Sequence, residues 1–275
     1  VALLCASFVF AQPASADDAE AHYRLAVTLR GQAKYDDALR EIDAALEERP
    51  SHAPWHVTRG TVLRYLGQYD DALEAFDRAI ALDPESGRAH GLAGAVCLRK
   101  NEPKRAVRYL RKAVELEPGD KNHWLNLGVA YRKTNDNEAA IATYRKALAK
   151  FPDDAMLLNN LGVALRKARK YEESIRAHER AVDAEPYDAA YARNLAIAYR
   201  GAKRYREAIP IYIKTLELGD GRPPDLLFDL ATCYEKVGDD EAAIVTFKRY
   251  IDAVEKSDPS AAERAQRAIT NLERK

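Results

Sequence analysis

Asn126, Asn160 and Asn194 follow one another at intervals of 34 residues, and Arg132, Arg166 and Arg200 repeat the interval six places further on. An amide side chain offers a donor and an acceptor, so a row of asparagines can pair with the peptide units of an extended chain whatever its sequence. Guanidinium groups select carboxylates, which they bind through paired, charge-assisted hydrogen bonds. Lys133 and Lys167 stand beside two of the arginines and extend the basic stripe. Three neutral amide contacts at ~0.5–1.5 kcal/mol each fall short of the ~8 kcal/mol of a micromolar complex. Charge-assisted bonds from three arginines add ~1.5–3 kcal/mol each. On these magnitudes the asparagines set register and the arginines choose an acidic partner. The alternative is upkeep of the fold, since cations near a helix C-terminus gain ~0.3–1 kcal/mol from the helix dipole.

Other chemistry is less well supported. His22, His56 and His90 share the same interval. Zinc holds nitrogen ligands at ~2.0–2.1 Å, whereas equivalent positions on packed helices lie ~8–10 Å apart. Three such histidines cannot meet on one ion, and packing is the better account of them. His52 and His56 are four apart, but Pro54 lies between them. No G-x-S-x-G, phosphate-cradling glycine loop, H-E-x-x-H or clustered cysteine set occurs. Neither an enzyme, a metal centre nor a cofactor is expected. Cys97 and Cys233 read as small buried apolar residues, too far apart in the chain's period to bond with each other.

The elements that carry these residues follow from one period. Pro50, Pro84, Pro118, Pro152 and Pro186 are each 34 residues apart, which marks a repeat architecture. With the proline at repeat position 32, six repeats run 19–52, 53–86, 87–120, 121–154, 155–188 and 189–222; a seventh follows a one-residue slip, at 224–257. Position 8 is Ala26, Gly60, Gly94, Gly128, Gly162, Ala196 and Ala231, and position 20 is alanine in every repeat but one, which has Ser174. Small residues there let two helices approach closely. Position 24 holds mostly large groups, Ile42, Phe76, Leu110, Tyr144, His178, Tyr212 and Phe247, that fill space around the contact. Positions 4, 7, 8 and 11 share one helical face, so each repeat is a pair of helices in a hairpin. The carboxylates of "YDDA" at Tyr35 and Tyr69 suit the first turn of the second helix. The proline near position 32 ends that helix.

In the fourth repeat Trp124, Leu127, Gly128, Tyr131, Ala140, Tyr144 and Pro152 reproduce a W-x2-L-G-x2-Y, A-x3-F, P signature almost whole. The chain resembles the tetratricopeptide repeat family over residues 17–257, with Arg59 and Asp220 departing from the pattern. The resemblance implies an all-α fold, an α-solenoid of helix-turn-helix repeats wound into a right-handed superhelix. It also implies that the first helix of each repeat lines a concave groove through positions 2, 5, 6, 9, 12 and 13. Asn126, Asn160 and Asn194 would then face the groove at position 6. Arg132, Arg166 and Arg200 would face it at position 12, with Lys133 and Lys167 at position 13. Asparagine at position 6 is also common in the family, so the ladder can serve the fold alone. The family's chaperone-tail clamp has Lys and Asn at positions 5 and 9 of its first repeat; Tyr23 and Val27 stand there instead. "GDGRPP", Gly219 to Pro224, reads as a hinge before the seventh repeat. Residues 258–275, with Asp258 as N-cap and an apolar stripe of Ala261, Ala265, Ala268, Ile269 and Leu272, read as a terminal capping helix, and no catalytic domain is expected beyond it.

Equal counts of 43 basic and 43 acidic residues exclude a general nucleic-acid binder. The basic stripe must be balanced by acid elsewhere, such as Asp36, Asp37, Glu47 and Glu48 on second helices. Val1 to Phe10 is apolar and uncharged, and "AQPASA" follows it. Residues 1–16 therefore read as a signal peptide shortened at its front, cleaved before Asp17, and too short to span a bilayer. Leu4 is large for the residue before a lipidated Cys5. The expectation is an exported protein, periplasmic or extracellular, acting as a non-enzymatic scaffold for an extended acidic peptide segment. The rival expectation is an assembly factor of a bacterial envelope complex that uses its outer faces or ends, including an exposed Trp55–His56 patch.

Overall fold

The computed structural model describes residues 16–219 and 224–274, which form fifteen α-helices and no strand. The expected signal peptide, apart from Ala16, and most of the expected hinge lie outside the described residues. The chain divides into two compact units, Val1–Asn126 and Leu127–Lys275. The first contains α1 (Ala16–Gly31), α2 (Tyr35–Glu48), α3 (Ala53–Tyr65), α4 (Tyr69–Leu82), α5 (Gly87–Arg99), α6 (Pro103–Leu116) and the opening of α7 (Lys121–Lys133). The second contains the rest of α7, α8 (Asn137–Leu148), α9 (Ala155–Lys167), α10 (Tyr171–Ala184), α11 (Ala189–Gly201), α12 (Tyr205–Leu218), α13 (Pro224–Val237), α14 (Asp240–Val254) and α15 (Pro259–Leu272).

Each repeat is a helical hairpin closed by the small residues that the period singles out. Ala38, Ala72, Ala106, Ala140, Ser174, Ala208 and Ala243 are all fully buried. The position-8 glycines lie under the position-24 side chains. A Cβ on Gly60 would sit 2.7 Å from Phe76, on Gly94 2.5 Å from Leu110, on Gly128 2.2 Å from Tyr144 and on Gly162 2.6 Å from His178. All four distances are shorter than a carbon–carbon contact allows, so the hairpins close only because these residues lack a side chain.

The helix ends have equally local causes. The second helices α2, α4, α6 and α10 stop two residues before their prolines, not at them, because the residue preceding a proline is driven out of the helical region, whereas α8 ends at Leu148, four before Pro152. Arg49, Asp83, Glu117 and Glu185 have φ between −125° and −137° with positive ψ. The turn inside each hairpin carries one left-handed residue at position 15: Ala33, Gly67, Asn101, Asn135, Arg169, Lys203 and Gly238, with φ from 58° to 82°. Asp36, Asp37, Asp70 and Asp71 occupy the first turns of α2 and α4, as expected from the dipole. On α15, Asp258 caps the N-terminus through Ala261 N–H and Pro259 follows it; Ala261, Ala265, Ile269 and Leu272 are buried against α13 and α14.

The structure overturns one expectation. Trp55 is 1% exposed, stacked on Tyr23 at 5.4 Å and packed against His52 at 4.4 Å between ring centroids. It is a core residue, and there is no exposed Trp55–His56 patch. Cys97 and Cys233 are buried free thiols, raised to about 11 and about 12 by burial.

Candidate peptide-binding groove

The position-4 rings belong to the framework. His56 Nε2 meets the Pro50 carbonyl oxygen at 2.8 Å, His90 Nε2 meets that of Pro84 at 3.1 Å, and Trp124 Nε1 donates to that of Pro118 at 2.9 Å. Two histidines and a tryptophan thus make one recurring bond, to the proline of the preceding repeat. His22 pairs instead with Glu41, 2.6 Å away, and that carboxylate raises its pKa. None of the three histidines approaches another as a metal ligand would.

In the first unit Tyr23, Val27, Arg30, Val57, Thr58 and Arg88 line a common depression. These residues occupy positions 5, 9 and 12 of the first repeat, 5 and 6 of the second and 2 of the third. Consecutive first helices therefore present these positions to one surface, as the family resemblance implies. Asn126 is half-buried at the end of this unit.

In the second unit the chain uses much of the expected ladder itself. Asn160 donates from Nδ2 to the Met156 carbonyl at 2.8 Å and accepts at Oδ1 from Arg132 Nη1 at 2.9 Å. Asn194 Nδ2 donates to Asn159 Oδ1 at 2.8 Å. Arg132 also lies against the Tyr144 hydroxyl without the geometry of a full hydrogen bond; burial lifts that phenol to about 12. Arg200 donates from Nε to Tyr212 Oη at 3.2 Å, and its Nη2 lies 3.2 Å from Asp229 Oδ2, which also accepts from Tyr212. Burial depresses Arg200, but Tyr212 and Asp229 outweigh it and hold the guanidinium above its usual pKa. Burial lifts Asp229 despite the neighbouring cation. One oxygen taking both a guanidinium and a phenol is the geometry of an ionised acceptor, and on that ground we treat the pair as charged.

Arg166 breaks this pattern. Its Nε is buried and has no partner among the described residues, nor has either ring nitrogen of His178 beneath it. Burial and the charges of Arg200 and Arg132 depress the Arg166 pKa; three guanidiniums share one field, and the central one has no ion-pair partner among the described residues. Lys167 and Lys133 are exposed in the same last turns. Of the expected residues, then, Arg132 and Asn160 meet each other, Arg200 meets an acid and Asn194 meets another asparagine. Sequence reasoning missed Asp229, although it stands at position 6 of the seventh repeat, in register with the asparagines.

A family model for the tetratricopeptide repeat matches residues 57–121, 98–155, 125–189, 159–223 and 193–262. The chain belongs to the tetratricopeptide repeat family, whose arrays act as protein-interaction scaffolds. No protein of curated function matches it in sequence. Among solved structures it is similar to YrrB, described as a repeat protein with an unusual peptide-binding site, at 20% identity over 64% of this chain and 91% of that one, TM-score 0.57. Pseudomonas aeruginosa pilF aligns at 19% identity over 78% and 97%, TM-score 0.64. The C-terminal part of a repeat protein from Cytophaga hutchinsonii aligns at 16% over 88% and 98%, TM-score 0.72. These likenesses concern the fold. Among the described residues no helix is long and apolar enough to cross a membrane.

Proposed function

We propose that the chain is a non-enzymatic scaffold that binds an extended, acidic protein segment along the first-helix surface of its second unit, anchored at Arg166. The observation that carries this reading is the unanswered charge: Arg166 is a buried-stem cation with an unpartnered Nε, flanked by two cations. A carboxylate arriving there would neutralise a site that the fold leaves positive. Arg132 and Arg200 are pinned by Asn160 and Asp229, so they shape the field and do not reach for the ligand. Asn126, Asn160 and Asn194 then matter less as a ladder than the sequence alone implies. The assembly-factor reading loses its particular support with the burial of Trp55. The apolar Val1–Phe10 run and the small-residue stretch after it support placing this scaffold outside the cytoplasm.

The test is a peptide array of acidic sequences and their amide counterparts, probed with wild type, Arg166→Ala and Arg166→Lys. Loss of one charge-assisted contact predicts ~10-fold to 100-fold weaker capture of acidic peptides by Arg166→Ala, partial recovery in Arg166→Lys, and decline with added salt. Equal capture by a folded Arg166→Ala protein would refute the anchor.

A further inference from the structure

A second constellation lies in the first unit, away from the arginines. Glu117, Asp120 and His123 bring a ligand-type atom each to within 4.8 Å of one another. His123 Nε2 stands 3.4 Å from Glu117 Oε2 and 3.7 Å from Asp120 Oδ2. Ligands at ~2.0–2.2 Å from a tetrahedral zinc ion are separated by ~3.3–3.6 Å, so the two distances from the imidazole nitrogen are already close to those between ligands of one ion. The histidine side chain is 7% exposed, while both carboxylates keep access to solvent through which an ion could enter.

The surroundings fix all three groups. Glu117 caps the C-terminus of α6, and its other oxygen, Oε1, accepts from Arg88 N–H at the start of α5 at 2.9 Å. Asp120 spends Oδ1 on Asn122 N–H at 2.8 Å. Each carboxylate thus has one oxygen held by backbone and the other aimed at the imidazole, as outer-shell bonds orient metal ligands. The imidazole is seated by a glycine: a Cβ on Gly91 would lie 2.1 Å from His123 Cε1. Within the chain this pairing is singular. Position 3 is histidine only in the fourth repeat, and position 5 is glycine only in the third, directly where the ring lies. His56 and His90 bond to proline carbonyls, whereas His123, outside that periodic series, faces two carboxylates.

We propose that Glu117, Asp120 and His123 bind a first-row divalent metal ion of the zinc class, tying the turn between α6 and α7 to the start of α5. One imidazole nitrogen with two carboxylate oxygens favours zinc, manganese or iron over calcium and magnesium, which prefer oxygen alone. The three protein ligands leave room for water on the ion.

The experiment uses the full chain stripped with chelator, then titrated with ZnCl2 by calorimetry, and separately with CaCl2 and MgCl2. The expected result is one zinc per chain and a raised Tm, with calcium and magnesium giving neither at the same concentration. Glu117→Gln and Asp120→Asn keep an acceptor for the backbone N–H groups and should each weaken zinc more than ~10-fold, the scale of disrupting a metal site's support; His123→Gln should abolish it. Asp36→Asn serves as a control and should bind as wild type. Absence of zinc binding, equal response to calcium, or zinc binding unchanged in both carboxylate variants would each overturn the proposal, and none depends on peptide capture by Arg166.

Discussion

His178 occupies the place that Tyr144 and Tyr212 hold in the repeats before and after it, and it is fully buried against Gly162. Burial, aided by the Arg166 charge, pushes its pKa down from 6.5 to about 4. The imidazole is therefore neutral in the fold at a pH where it is protonated in the unfolded chain. Its share of stability is complete above pH ~6.5, falls as the pH drops through that value, and stops falling below about pH 4. At 1.36 kcal/mol per pKa unit the total is ~3 kcal/mol, of which ~1.4 kcal/mol is gone by pH 5.5. Titrating carboxylates and His22 also shift with pH, so the comparison needs a variant that removes only this group. His178→Tyr does so with a residue the neighbouring repeats accept. Both tryptophans lie in the first unit, so their fluorescence would not report on this site. Urea unfolding followed by far-UV circular dichroism, together with amide exchange in α9 and α10, reads it directly. From pH 7 to 4 wild type should lose ~3 kcal/mol more than His178→Tyr, with the gap opening below pH ~6.5. Parallel curves for the two proteins would refute the burial argument.

Two further outcomes follow from the backbone. Gly128→Val places side-chain atoms where Tyr144 already lies, 2.2 Å from a Cβ, and should cost at least ~1–3 kcal/mol in urea unfolding by overpacking; an unchanged midpoint would mean that the hairpin closes elsewhere. Lys203 holds φ at 61° on an exposed turn, a conformation that costs a non-glycine residue ~1–2 kcal/mol. Lys203→Gly relieves that strain against ~0.5–1 kcal/mol of unfolded-chain entropy and should leave thermal stability equal or higher, whereas the same change in mid-helix would lower it.

The period made the architecture legible, because glycine at position 8, alanine at 20 and bulk at 24 can recur in register only if the same two helices touch each time. Gly60 with Phe76 and Gly128 with Tyr144 are that contact. Position 15 stayed hidden. Its left-handed turn is filled by Ala33, Arg169 and Lys203 as well as by Gly67 and Gly238, and the packing of the hairpin holds a conformation that local propensity would not choose. The histidines at position 4 read as framework, but the bond of His56 and His90 to a proline carbonyl in the preceding turn needs coordinates, since the sequence gives the two positions and not their meeting. His123 escaped notice for a related reason. It belongs to no periodic series; its carboxylate partners lie three and six residues before it in the same turn, but its seat against Gly91 forms only when that turn meets α5.

The basic stripe shows where a sequence period and a contact period part. Arg132 reaches the position-6 residue of the next repeat, Asn160, and Arg200 reaches its counterpart, Asp229. By that rule Arg166 should hold Asn194, but Asn194 donates to Asn159 instead. The sequence interval is intact at all three arginines, so a purely structural role accounts for the outer two and leaves the central one without its bond. A buried guanidinium stem without such a partner lowers stability unless something else meets the charge. The interrupted contact, more than the repeated residue, is the ground on which we propose Arg166 as the place for a partner's carboxylate.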